Sequence, residues 1–165
     1  MFDIIFFVFI SFMMCVMYFV VYFVAPKFFE KTSAPLTWKR TLPSILTIVA
    51  LGFIAIYVVV STPDPWISNR IEHALGGGFI ATTMCYLAVR DSKIQLSYLQ
   101  FFLITLMFVT MLGVGNEILE FICQHYYGYI SSSSVEDTWL DLISNTLGII
   151  AGLICFTPLI KRANK

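Results

Sequence analysis

Apolar residues along this chain fall into long runs separated by short polar stretches. Five runs approach or exceed 20 residues, about the length that crosses a hydrocarbon core as an α-helix. They cover residues 2–25, 43–61, 71–89, 96–122 and 140–160. The pattern predicts an all-α, polytopic membrane bundle of about five transmembrane helices. With no repeat or second domain visible, residues 1–165 read as a single membrane domain. Residues 1–61 supply two N-terminal helices and 69–160 a three-helix core. The first run lacks the basic leader of a signal peptide and is too long for its apolar stretch, so it reads as an uncleaved helix.

The connectors set the expected ends and orientation. Thr62-Pro63-Asp64-Pro65 cannot continue a helix, because proline lacks an N–H and restricts the residue before it. Asn69-Arg70-Ile71-Glu72 fits a capping box for the third helix, and Ser133-Ser134-Val135-Glu136 one for the fifth. With five spans, Lys27, Lys31, Lys39, Arg40, Arg90, Lys93, Lys161, Arg162 and Lys165 share one side. The positive-inside rule makes that side cytoplasmic, with the N-terminus out and the C-terminus in. Trp66, Tyr126, Tyr127, Tyr129 and Trp139 then mark the outer interface. The serine run 131–134 reads as an outer loop.

Composition sharpens the class. Hydrophobic residues are 59% of the chain and charged residues 12%, about half the charge fraction of a soluble domain. A net charge of zero gives no argument for nucleic acid. Cys15, Cys85, Cys123 and Cys155 lie inside apolar runs without metal-binding spacing, and read as small core residues.

Ionisable groups at membrane depth are costly and point to function by default. Glu117, Glu120 and Gln124 stand at i, i+3 and i+7, on one helical face. Asp137, Asp141 and Asn145 stand at i, i+4 and i+8, also on one face. Arg70 and His73 share a face of the third helix, with Glu72 pointing elsewhere. Two carboxylates one turn apart in low dielectric repel, unless one is protonated or a cation lies between them. The plainer readings stand beside these: interfacial acids in water, a first-turn Asp137 complementing the helix dipole, and a His73 that is only hydrogen-bonded. All three polar faces lie at the same ends of antiparallel helices, so the topology predicts one outward pocket.

At these residues the chain resembles VanZ-like membrane proteins: Arg70-x-x-His73, Glu117-x-x-Glu120 with Gln124, and Asp141-x-x-x-Asn145-x-x-Gly148. Asp137-Thr138-x-x-Asp141-Leu142 and Glu117-x-x-Glu120 are also similar to the YjdF group of bacterial membrane proteins. The likeness covers residues 69–152. It departs from VanZ-like chains in lacking an arginine between the fourth and fifth runs. The resemblance implies a bacterial inner-membrane protein linked to antibiotic or envelope-stress tolerance.

Two functions are expected. In the first, an outward acidic pocket binds or acts on a cell-envelope lipid or lipid-linked phosphate. Glu117, Glu120 and Asp141 hold a divalent metal, joined in one version by His73. Arg70, Gln124 and Asn145 bind ligand, and His73 and Glu120 are the candidate catalytic residues. In the second, the protein is a non-enzymatic accessory, and the polar cluster is a helix-packing core. A transmembrane proton or cation pathway is disfavoured, because the other halves of the fourth and fifth runs are almost wholly apolar.

Overall fold

The structure is a computed structural model that describes residues 2–128 and 134–163. Tyr129, serines 131–133 and Lys165 lie outside the described residues, so their expected places are left open. The described residues form helices joined by short connectors, with no strand among them. In order they form α1 (Phe2–Val24), a 3-10 turn (Ala25–Phe29), α2 (Trp38–Ser61), α3 (Pro65–Ile71), a π segment (Glu72–Ile80), α4 (Ala81–Ser92), α5 (Tyr98–Tyr127) and α6 (Val135–Ala163). Ile71 and Ile80 keep right-handed helical dihedrals. The α3, π and α4 pieces are therefore one continuous rod over 65–92.

Local chemistry explains the rod's early start. Asp64 Oδ1 accepts from the backbone N–H of Trp66 at 2.8 Å and of Ile67 at 3.3 Å. Pro65 sits at the first helical position, where its missing N–H costs nothing. The expected box at Asn69 is thus not a helix start; Asn69 lies inside α3. The box expected at Ser133 before the last helix begins outside the described residues, but a cap is seen at Ser134. Ser134 Oγ accepts from the N–H of Asp137 at 3.2 Å. A full capping box opens α5 instead. Ser97 Oγ accepts from Gln100 N at 3.2 Å, and Gln100 Oε1 accepts from Ser97 N at 2.9 Å.

The outer surface is that of a protein in lipid. Val60 is 74%, Tyr57 73% and Ile154 70% exposed, with many other large apolar side chains around the bundle, which a soluble surface would not tolerate. Four described helices are long and apolar enough to cross a membrane: Ser11–Phe29, Trp38–Ser61, Tyr98–Tyr127 and Val135–Ile160. The rod over 65–92 is different because the other helices surround it. From Ile80 to Val89 every residue but Tyr86 is buried, so small and polar side chains serve there in place of lipid-facing ones. Among the cysteines only Cys85 is buried with the core, while Cys155 faces outward, so the reading of all four as core residues is corrected. Its place on a helix with one lipid-facing side explains the difference.

Two features lock the rod in place. Its π segment packs most extensively on α6, at a contact made by glycines. A Cβ on Gly78 would come within 2.6 Å of Gly148 Cα, and one on Gly148 within 2.8 Å of Gly78 Cα. Any larger residue would force the backbones apart. At the end of the bundle rich in basic residues, Asp91 is 1% exposed and gathers three helices. Tyr18 Oη donates to its Oδ2 at 2.7 Å, Ser44 Oγ donates to the same oxygen, and Arg90 Nε donates to Oδ1 at 2.9 Å. This satisfied network ties α1 and α2 to α4.

Candidate functional site

The opposite end of the bundle collects the polar groups of α3, the π segment, α5 and α6. Length places them. Glu117 stands 19 residues into α5, about 29 Å along its axis, which is close to the full hydrocarbon thickness of about 30 Å. Trp66 and Trp139, 58% and 63% exposed, lie at the same end, as do Tyr126 and Tyr127. An interfacial belt has this character.

Arg70 is the hinge between α3 and α6. One guanidinium nitrogen lies 2.9 Å from Asp141 Oδ1 and donates to the Asp137 carbonyl at 3.0 Å. The other pairs with the Asp137 carboxylate. Its face also lies over Trp66, 5.7 Å from the ring centroid. Asn69 Nδ2 adds a bond to Asp141 Oδ1 at 3.2 Å. Asp137 and Asp141 thus hold the arginine, Asn69 steadies Asp141, and the arginine's charge is already balanced.

His73 bridges this knot to α5. Its Nε2 lies 3.2 Å from Asp141 Oδ1, and its Nδ1 3.9 Å from Glu117 Oε1. His73 is nine-tenths buried, and Glu117, at 8% exposure, is buried too. Neither Glu117 carboxylate oxygen has a hydrogen-bond partner among the described residues. Glu120, one turn on and half-buried, accepts from Asn116 Nδ2 at 2.6 Å. One donor atom each from His73, Glu117 and Glu120 lies within 4.8 Å of the other two, a spacing that can surround a metal ion.

A cavity of about 500 Å³ opens beside these groups, within the range of small-ligand sites. His73, Glu120, Asn145, Glu72, Asn69 and Asn116 are among its polar lining residues. Met13, Met14 and Met17 of α1, with Met111, Leu112 and Leu119 of α5, supply apolar lining. The space is therefore amphiphilic, with acid, amide and imidazole groups beside a thioether-rich lining.

The sequence-derived candidates divide accordingly. His73, Glu120 and Asn145 line the cavity; Glu117 and Asp141 are buried; Arg70 is held against α6; Gln124 is exposed farther along α5 and does not line the cavity. Glu72 was expected to point elsewhere, yet it lines the cavity. The signal was present: 69, 72, 73, 76 and 77 form one stripe at helical spacing, and every one of them lines the space. The methionines of α1 carried no such signal, because an apolar run gives no hint of which residues face a void. Asn145 approaches the π segment so closely that a Cβ on Gly77 would collide with its Oδ1.

No curated protein and no solved structure matches this chain. A family model described as "Predicted membrane protein (DUF2238)" matches residues 4–162, nearly the whole length, in accord with the apolar helices and lipid-facing surface, and the chain belongs to that family of membrane proteins.

Proposed function

We propose that this is a multi-pass protein of the bacterial inner membrane that binds a cell-envelope lipid or lipid-linked phosphate in the cavity between α1, α5 and the π segment. The carrying observation is the mixed lining: methionines and leucines together with His73, Glu120 and Asn145. An acyl or isoprenoid chain suits the apolar residues and a hydrated head the polar ones. The VanZ-like and YjdF-like motifs support the same reading and its link to envelope-stress tolerance. The basic character of the other end of the bundle supports an outward-facing cavity, by the positive-inside rule. His73 and Glu120 are the groups suited to act on a bound head, as general base or ligand. Arg70, committed to Asp137 and Asp141, positions α6 rather than receiving an anion.

The test is mass spectrometry of lipid retained by the detergent-purified protein. Met14→Trp, which fills the apolar side, is expected to cut retained lipid at least tenfold while the size-exclusion profile stays monodisperse. Equal lipid in both preparations would refute the reading.

The Arg70–Asp137–Asp141–Asn69 knot favours a second reading, a packing core in an accessory protein. The two separate cleanly. An accessory role predicts that Glu120→Gln preserves envelope-stress tolerance in a deletion strain, whereas a binding site predicts its loss with the protein still folded.

A further inference from the structure

The cavity's polar end has an excess of acid. Glu72, Glu117 and Glu120 face or adjoin it, and the nearby Arg70 is already neutralised by Asp137 and Asp141. A phosphate head would meet repulsion there. A positive group is needed, and the geometry offers a place for one.

We propose that His73, Glu117 and Glu120 bind a divalent first-row metal ion, such as Mn²⁺ or Zn²⁺, at the inner end of the cavity. Their donor atoms lie within 4.8 Å of one another, and small side-chain rotations bring them to the 2.0–2.2 Å or so of metal bonds. Glu117 supplies an independent observation. It is buried, directed at His73, and both its oxygens lack hydrogen-bond partners among the described residues. A neutral carboxyl there would still leave its O–H and C=O unbonded, whereas a cation satisfies both oxygens. A nitrogen with two carboxylates suits a borderline ion better than Mg²⁺ or Ca²⁺.

Asp141 completes the site without touching the ion. With a proton on His73 Nε2 facing Asp141 Oδ1, Nδ1 keeps its lone pair toward Glu117. Such a carboxylate behind a ligating histidine fixes the tautomer and raises its basicity. Asp141 is therefore a positioning residue. Because His73 and Glu120 line the cavity, the ion's open positions face it and would accept a phosphate or carboxylate oxygen of the head. Only this last step rests on the lipid reading.

The experiment uses the full chain, purified with a tag free of histidine, in a His125→Gln background. His73 is then its sole histidine, because the sequence has two. Pulsed EPR after Mn²⁺ loading is expected to show one bound ion coupled to one imidazole nitrogen. Glu117→Gln and Glu120→Gln are expected to weaken binding at least tenfold, and Asp141→Asn by 10- to 100-fold or so. No bound ion in the monodisperse parent, or bound ion without nitrogen coupling, overturns the site whatever the variants do. Retained lipid is measured in the same samples. Lipid without metal sinks the metal site alone; metal without lipid sinks the lipid reading alone.

Discussion

Asp141 shows how one side chain can serve several neighbours. Its Oδ1 faces Arg70, Asn69 and His73 together, at 1% exposure. Removing it leaves Arg70 with Asp137 as its remaining carboxylate and takes the acceptor from Asn69 Nδ2, at about 1–3 kcal/mol for a buried polar group left unpaired. Asp141→Ala should therefore lower thermal stability in detergent and reduce folded yield. Glu120→Gln should do neither, because Glu120 is half-buried at the cavity edge and the amide still accepts from Asn116. Circular dichroism melts of the two variants check the contrast. The helical spacings of Glu117 with Glu120 and of Asp137, Asp141 and Asn145 were legible in the sequence. Which acid meets which base was not: Arg70 and Asp137 are 67 residues apart, and only the packing of α3 on α6 joins them.

Among the helices, the π segment has the strictest demands. Gly78 and Gly148 touch backbone to backbone, so Gly148→Ala should overpack the contact and cost about 1–3 kcal/mol. A methyl added at Gly115 of α5 would meet nothing within 4 Å, and Gly115→Ala should leave the melting temperature unchanged or slightly higher. Paired melts of the two variants test whether contact, rather than loss of glycine as such, sets the effect. The apolar runs located each of the five helical stretches, since run length is a direct physical requirement of the bilayer. They missed the ends by up to about six residues where a polar cap outranked hydropathy, as at Asp64. Nor could they reveal the π turns, because Gly76-Gly77-Gly78 fits a regular helix equally well until α6 is laid against it.

Across the whole molecule, two polar centres sit at opposite ends of an otherwise apolar bundle. The Asp91 centre is fully satisfied and fastens α1 and α2 to α4, whereas the His73–Glu117 centre contains unbonded oxygens. The first therefore serves architecture, and the second is where a ligand is proposed to bind. Asp91→Ala takes the acceptor from the buried Tyr18 hydroxyl, at about 1–3 kcal/mol for a buried group left unpaired, and leaves Ser44 and Arg90 bonded to each other. Limited proteolysis should then cut the connector between α1 and α2 faster than in the parent chain. Asp91 gave no functional signal in the sequence because it stands beside Arg90, in what read as an ordinary cytoplasmic connector. Its partners Tyr18 and Ser44 come from two helices distant in the chain.

The methionine side of the cavity carries a cost of its own. Met13, Met14, Met17 and Met111 are unbranched, and on the proposed lipid reading they would readily change shape around chains of different length or unsaturation. Their sulfur atoms are also the groups that hypochlorite or peroxide attacks, turning a greasy surface into a polar, chiral sulfoxide. Met13 and Met111 line the cavity, and an oxidant that enters it reaches their sulfur atoms. If the proposed lipid is bound there, mild oxidation should release it before the helices melt, and methionine sulfoxide reductase should restore its binding. A pocket built for adaptability would then also respond to oxidative attack on the cell.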